Sequence, residues 1–273
     1  MADTYEVFAV NYGTHTGRRM SESFLGGDPH DTSGKLSYYV WAIVGNGRTY
    51  VVDAGFTHEN ATRRGRKLQY LPREGLAKLN IDAAKVEDLI ITHMHFDHAG
   101  TLDDFSNARL HIHDDEMDYC TGRSMCHEPL RMAYDVEDVA KMIRRIYKEQ
   151  AVFHDRDEEI APGLSVHHVP GHAKGLMAVR VNTRRGPIVL ASDSSHFYAN
   201  MNEGRPFFMY HDVGDVFASY RRIRRLALSL DHIIPGHDPL VMDQYPAPHS
   251  DVEGSVVRLD VSPRFRAMTE ATT

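Results

Sequence analysis

A layered α/β fold is the class that the sequence predicts. Apolar runs of strand length come first, helical patterns then alternate with further strands, and a last group of strands precedes a late helix. Such an order fits helices packed on sheets better than an all-β barrel or a helical bundle. The chain has 273 residues, with no internal repeat or polar linker to divide it. We therefore expect a single domain over residues 1–273.

Seven segments are predicted to be strands, because they are short, largely apolar and bounded by turn residues. They are Leu36–Val44, Thr49–Val52, Asp88–Thr92, Ala108–His113, Leu164–Val169, Leu176–Val181 and Pro187–Ala191. The Gly45-Asn46-Gly47 turn predicts a hairpin between the first two. Apolar residues three and four positions apart predict helices over Val136–Glu149 and Asp215–Leu230, with shorter ones around Glu74–Leu79 and Asp114–Tyr119.

Residues 11–37 have a different composition, with five glycines among polar residues. We expect this segment to be irregular, and long irregular segments within a domain are usually functional or disordered. The segment is either a lid that covers a site and binds substrate, or a simple surface loop. The embedded Met20, Phe24 and Leu25 favour the lid.

Composition narrows the function classes. Lys and Arg number 31 against 38 Asp and Glu, a net charge of −7, which argues against nucleic acid or an anionic membrane as the main partner. No apolar run approaches the roughly 18 residues of a membrane span. The N-terminus lacks the features of a secretory signal, so we expect a cytoplasmic protein. Two cysteines are too few for a disulfide framework, whereas 18 histidines suggest metal binding.

A dense group of potential metal ligands follows one apolar strand. Residues 92–100 read Thr-His-Met-His-Phe-Asp-His-Ala-Gly, which contains His93, His95, Asp97 and His98. In extended backbone, side chains two positions apart share a side, so His93, His95 and Asp97 can converge while His98 diverges. Four ligands within six residues suit two adjacent metal ions better than one.

Three further ligand types follow later strands. His172, Asp193 and His237 each come just after a strand-like run, and a glycine precedes both histidines. Loops at strand ends collect sites in layered α/β folds, and glycine allows a sharp turn. Any one of the three alone would be interpreted as structural. Together with the first motif they predict a site of five His and two Asp, which suits divalent ions such as Zn²⁺.

The whole set, in this order and spacing, resembles the metallo-β-lactamase superfamily over nearly the entire chain. The resemblance implies a four-layer αββα sandwich with two metals at one edge. The implied ligands are His93, His95 and His172 for one metal and Asp97, His98 and His237 for the other, with Asp193 bridging both. Asp53, in Asp53-Ala54-Gly55, matches the early Asp-x-Gly motif of the family beneath the site.

By length, ligand set and the phrase His-Phe-Asp-His-Ala-Gly, the chain most resembles the N-acyl-homoserine lactonase, or quorum-quenching lactonase, branch. The resemblance implies lactone hydrolysis, in which a hydroxide shared by two divalent metals attacks the ring carbonyl. Asp97 could accept or shuttle a proton. Alternatives are hydrolysis of another ester, a thioester or a phosphodiester on the same metals, a mononuclear iron protein of the oxygenase type, and metal binding without catalysis. A homodimer is suggested by the resemblance only.

One departure from the branch concerns substrate binding. The lactonases usually carry a tyrosine three residues after the bridging Asp, where it donates a hydrogen bond to the substrate carbonyl. This sequence has His196 there, and Tyr198 follows two residues later. Either side chain could replace the tyrosine as a donor, or His196 could be a surface residue without a role.

The lining of the pocket is less constrained by the sequence. Apolar candidates are Met20, Phe24, Leu25, Met125, Met132, Phe207, Phe208 and Met209, which form either an acyl-chain pocket or plain core. Arg18, Arg19 and Arg131 either bind a carboxylate or are simply solvated.

Overall fold

The computed structural model describes residues 3–265, which form two β-sheets flanked by helices. The strands are β1 Glu6–Arg19, β2 Thr32–Gly45, β3 Arg48–Val52, β4 Lys67–Leu68, β5 Asp88–Ile90, β6 Arg109–His113, β7 Ala151–His154, β8 Glu158–Ala161, β9 Leu164–His168, β10 Met177–Thr183, β11 Gly186–Ser192, β12 Ile233–Pro235 and β13 Val256–Arg258. The α-helices are α1 His58–Arg64, α2 Pro72–Ala77, α3 Phe96–Ala99, α4 Asp114–Cys120, α5 Glu128–Arg131, α6 Val136–Ile146, α7 Tyr198–Asn202, α8 Val213–Leu226 and α9 Leu240–Gln244. Short 3-10 turns cover Met20–Glu22, Ala83–Lys85, Leu102–Asp104, Arg123–Cys126, Leu230–His232 and Ser250–Val252.

Both sheets mix antiparallel and parallel pairing. The first has the order β13-β1-β2-β3-β5-β6-β7, with β4 paired to β1, and the second has the order β12-β11-β10-β9-β8. β3, β5, β6 and β7 run parallel, as do β11 and β12. Because parallel strands end at the same edge of a sheet, the loops that follow β3 and β5 lie side by side.

Apolar residues that alternate along the strands pack the sheets against each other and against the helices. Along β2, Tyr39, Trp41 and Ile43 face the second sheet, whereas Val40 and Ala42 belong to the cluster on the opposite face. α2, α4 and α6 pack on that outer face of the first sheet, and α8 packs with the second sheet. The predicted four-layer αββα sandwich is therefore confirmed.

The expectation of an irregular segment over residues 11–37 is wrong for both of its ends. Residues up to Arg19 extend β1, and β2 begins at Thr32, so the two ends of the segment form an antiparallel hairpin and residues 20–31 form its tip. Gly13, Gly17 and Gly34 lie beside register shifts of the hairpin, whereas Gly26 and Gly27 lie in the tip. Gly17 and Gly34 have φ values of 71° and 85°, the left-handed conformation that bulges use. The role of this hairpin as a lid stays a prediction.

No helix within residues 3–265 is long and apolar enough to cross a membrane. The cytoplasmic location and the homodimer stay predictions.

Candidate metal centre

The strand ends bring all seven predicted ligands to one edge of the sandwich. His93, His95, Asp97 and His98 follow β5, with the last two on α3. His172 follows β9, Asp193 follows β11, and His237 follows β12. All seven residues are at least nine-tenths buried.

Three imidazoles converge on one point. His95 Nδ1 lies 3.0 Å from both His93 Nε2 and His172 Nε2. Nitrogens that share a tetrahedral Zn²⁺ at 2.0–2.1 Å lie about 3.3 Å apart, which is close to this spacing. Burial, followed by neighbouring imidazoles, holds the pKa values of His93 and His95 well below the usual range. Both rings are therefore neutral, the form that binds a metal.

A second group contains a carboxylate and two imidazoles. Asp97 Oδ2 lies 3.8 Å from both His98 Nε2 and His237 Nε2, and the three side chains form a potential metal-binding group. The two groups match the two ligand sets that the family resemblance implies.

Asp193 lies between the two groups and turns one carboxylate oxygen to each. Its Oδ2 is 3.2 Å from His172 Nε2 and 3.8 Å from His93 Nε2. Its Oδ1 is 2.9 Å from His237 Nε2 and 3.3 Å from His98 Nε2. This division is what a carboxylate that bridges two metals requires.

The unpaired atoms of the centre fit a pair of divalent metals. Among the described residues, neither His98 Nε2 nor Asp193 Oδ1 makes a hydrogen bond of good geometry, although both are buried and lie within 3.3 Å of each other. A buried polar atom without a partner is costly, and a metal ion would satisfy both. The five histidines and two carboxylates are the donor types that Zn²⁺ takes.

In three of the five histidine ligands, the ring nitrogen that points away from the centre, Nδ1, makes a hydrogen bond to a carboxylate or a backbone carbonyl of the protein. His98 Nδ1 lies 2.7 Å from Asp53 Oδ2, His172 Nδ1 lies 2.9 Å from the Met209 carbonyl, and His237 Nδ1 lies 2.8 Å from the Ser37 carbonyl. In each case the acceptor fixes the Nδ1–H tautomer and leaves Nε2 free for a metal.

Asp53 makes hydrogen bonds that hold the loop after β5 in place. Its carboxylate accepts from Thr92 N at 2.8 Å as well as from Thr92 Oγ1, besides holding His98. The residue is fully buried with a φ of 64°, a left-handed conformation that is uncommon outside glycine. Its place beneath the site agrees with the Asp-x-Gly motif noted in the sequence.

Gly236 allows the last ligand to approach. A Cβ at this position would lie 2.7 Å from the Ser192 carbonyl carbon and 2.9 Å from Asp193 Oδ1. Only glycine therefore lets the end of β12 press against the bridging Asp193.

Comparison with protein families identifies the chain. The model of the metallo-beta-lactamase superfamily matches residues 33–252. The chain belongs to the metallo-beta-lactamase superfamily.

Within this superfamily the chain is similar to curated lactonases. It is 27% identical over 170 residues to the N-acyl homoserine lactonase AiiB of Rhizobium rhizogenes, covering 60% of this chain and 61% of that protein. An N-acyl homoserine lactonase of Bacillus cereus is 28% identical over 159 residues, covering 56% and 58%. The similarity thus spans about three fifths of the length of these relatives.

Solved structures of the superfamily share the fold. A quorum-quenching N-acyl homoserine lactone lactonase has a TM-score of 0.74 at 20% identity, covering 88% of this chain and 95% of that one. The hydrolase AbOPH of the beta-lactamase superfamily has a TM-score of 0.71 at 16% identity, covering 97% and 99%.

His196 lies in the metal centre of this superfamily member. Its Nε2 is 3.0 Å from Asp193 Oδ2, and its ring stacks on Phe207 with centroids 3.5 Å apart and planes 5° from parallel. Burial lowers the pKa of His196 to about 3, so the ring is neutral. Because the Asp193 carboxylate can only accept, the neutral ring carries its proton on Nε2, and Nδ1 can act only as an acceptor. Nδ1 is buried without a hydrogen-bond partner in residues 3–265.

Tyr198 lies elsewhere. Its side chain belongs to the core cluster that also contains Tyr39 and Tyr245, and it is absent from the described lining of the cavity. Tyr198 opens α7, where its backbone N–H donates to the Asp238 carboxylate. The geometry therefore does not support a hydrogen bond from Tyr198 to a substrate.

Glu116 was not singled out from the sequence. It is fully buried on α4, and its carboxylate accepts from Met94 N at 2.9 Å, Gly175 N at 3.0 Å and Tyr134 Oη at 3.2 Å. Met94 lies between two ligands and Gly175 lies three residues after a third, so Glu116 ties two ligand loops together. An acidic residue in the first turn of a short helix gives no sequence signal of such a role.

A cavity of about 490 Å³ opens over the metal centre. Four of the predicted apolar candidates, Met132, Phe207, Phe208 and Met209, line it. Phe24 is instead buried against Phe197, Met20 and Met125 pack on the core, and Leu25 is exposed. Arg18 also lines the cavity, whereas Arg19 and Arg131 are exposed.

Proposed function

We propose that the protein is a dinuclear metal-dependent hydrolase that opens a lactone ring or cleaves a related ester. The observation that carries this proposal is the division of the Asp193 carboxylate, with one oxygen toward each of two complete ligand groups. The similarity to lactonases over three fifths of their length supports the lactone as first choice. A cavity of about 490 Å³ is large enough for a small-molecule substrate.

Two divalent ions, with Zn²⁺ favoured by the donor set, would supply Lewis acidity and a water of lowered pKa when bound. The residues of the chain hold the metals and move the proton. Asp97 lines the cavity, and its carboxylate can take a proton from the attacking water and return it to the leaving alkoxide. His196 also lines the cavity, where its ring is fixed by its stack on Phe207 and its Nε2–H orients the Asp193 carboxylate.

Metal analysis together with a substrate panel tests the proposal. Purified protein is expected to hold about two zinc ions per chain and to release protons from lactones faster than from aryl esters, thioesters or phosphodiesters. One iron per chain with oxygen consumption would contradict the hydrolase, and turnover of another class without lactones would contradict the substrate.

Substitution tests the two residues that the sequence offers as donors. We expect His196→Ala to lower kcat/KM for the best lactone by about tenfold or more, because the Nε2–H of His196 holds the Asp193 carboxylate in place. Tyr198→Phe should leave kcat/KM within about twofold, because its side chain lies in the core. Steady-state kinetics on metal-loaded protein provide the measurement. Unchanged rates in His196→Ala would contradict the positioning role.

A further inference from the structure

The wall of the cavity carries a group of arginines, Arg18, Arg64 and Arg66, which we call the arginine cluster. Arg18 lies near the end of β1, Arg64 is the last residue of α1, and Arg66 lies between α1 and β4. The cluster faces the same cavity as the metal ligands Asp97 and Asp193.

The arginine cluster has no carboxylate partner within 4 Å among residues 3–265. Arg18 donates to Ser23 Oγ at 3.2 Å and to the Glu22 carbonyl, and Arg64 donates to the carbonyls of Met132 and Tyr134. By contrast, the neighbouring Arg63 pairs with the Asp135 carboxylate. Arg18 is only 5% exposed, and buried charges are normally paired.

His15 lies between two arginines of the cluster and can accept from only one of them. Its Nδ1 lies 3.1 Å from Arg18 Nη1, and its Nε2 lies 3.3 Å from Arg66 Nη1. A neutral imidazole accepts at one nitrogen only, so both guanidinium contacts cannot be hydrogen bonds at once. Burial, then Arg66 and Arg18, lowers the pKa of His15 to about 4. The ring therefore adds no charge and accepts from only one of the two guanidinium groups, while Arg66 Nη1 also donates to the Arg64 carbonyl at 2.6 Å.

Further donors of the arginine cluster are unused. Arg64 Nε and Arg66 Nε are buried without a hydrogen-bond partner in the described chain. Three carboxylates share the cavity, Glu22, Asp97 and Asp193, and each has other contacts. Glu22 accepts from Arg19 N, and Asp97 and Asp193 lie among the ligand imidazoles. The cavity wall therefore holds three guanidinium groups that no carboxylate of the described chain pairs directly.

We propose that the arginine cluster binds an oxyanion, carboxylate or phosphate, carried by the substrate while its ester bond lies at the metal centre. Guanidinium groups match both oxyanions with paired hydrogen bonds, which are the strong, charge-assisted kind. The proposal rests on the proposed hydrolase function and defines its substrate class. The substrate is an acidic lactone or ester rather than one with only an apolar acyl chain.

Three γ-butyrolactones that differ in one substituent test the proposal: a carboxylate, a phosphate monoester and an uncharged carboxamide. We expect kcat/KM to favour an anionic lactone over the carboxamide by about tenfold or more, the scale of a hydrogen bond between charged groups. The better anionic lactone identifies the oxyanion. Arg18→Gln and Arg66→Gln should each reduce that preference by about tenfold, whereas Arg66→Lys should retain part of it. Arg19→Gln, on the exposed neighbour of Arg18, should retain it fully.

An equal rate with charged and uncharged lactones, or a preference that survives both glutamine variants, would overturn the proposal and leave the hydrolase function intact. Calorimetric titration of the metal-loaded protein with glutarate and with inorganic phosphate gives a readout that needs no turnover. Binding about tenfold weaker in Arg66→Gln than in Arg19→Gln supports the arginine cluster, even if no lactone is cleaved and the hydrolase proposal fails. Equal affinities in these two variants would contradict it.

Discussion

Replacing His98 with alanine is expected to leave about one metal ion per chain and to reduce kcat/KM by at least about 100-fold. His98 Nε2 is one of three donors of the second ligand group and has no other partner in the described structure. Loss of groups that merely orient a ligand costs 10- to 100-fold in metal affinity or activity, and loss of the ligand itself should cost no less. Elemental analysis and steady-state kinetics on the same preparation measure both effects.

His58→Ala is a matched control, because His58 is an exposed histidine at the start of α1. It should keep about two metals per chain and the parent rate. A His98→Ala protein that retained both metals and its activity would contradict the assignment of the second ligand group.

Replacing Glu116 with alanine is expected to lower the free energy of unfolding by at least about 3 kcal/mol. The change removes the acceptor of two buried backbone N–H groups and one tyrosine hydroxyl, and each unsatisfied group costs about 1–3 kcal/mol. Because Met94 and Gly175 belong to ligand loops, metal affinity should also fall by about 10- to 100-fold. Chemical denaturation and metal competition with a chelator measure the two effects.

Asp118→Ala removes an exposed carboxylate from the same helix and should change the unfolding free energy by less than about 0.5 kcal/mol. Glu116→Gln retains one acceptor oxygen and should fall between the two, which keeps the test informative if the alanine variant does not fold. Metal affinity equal to the parent in Glu116→Gln and Glu116→Ala would contradict the tethering role.

The metal centre was largely predictable because its ligands lie close in sequence or at strand ends. Six consecutive positions contain four of the ligands, His93, His95, Asp97 and His98. The later ligands follow apolar runs whose strand character is evident from composition. Local sequence carries this information, since a strand end fixes where its next residue lies.

The features that the sequence did not predict depend on contacts between segments that are distant along the chain. Glu116 and Arg66 gain their roles from partners that only the folded chain brings near, and neither has a local pattern that distinguishes it from a surface charge. The glycines of the first hairpin indicated irregular structure, but cross-strand pairing overrode this local preference in both strands, where Gly17 and Gly34 lie beside register shifts. Tyr198 lies close in sequence to the bridging carboxylate, yet α7 carries its side chain into the core.

The seven ligands are divided between the sheets, and this division has a mechanical consequence. Those from His93 to His98 follow a strand of the first sheet, whereas His172, Asp193 and His237 follow strands of the second. Each ligand group takes donors from both sheets, so metal ions bound there would link the two sheets at one edge of the sandwich. Because a ligand that binds only the folded state stabilises it, metal loading would strengthen the cohesion of the whole domain as well as equip its chemistry.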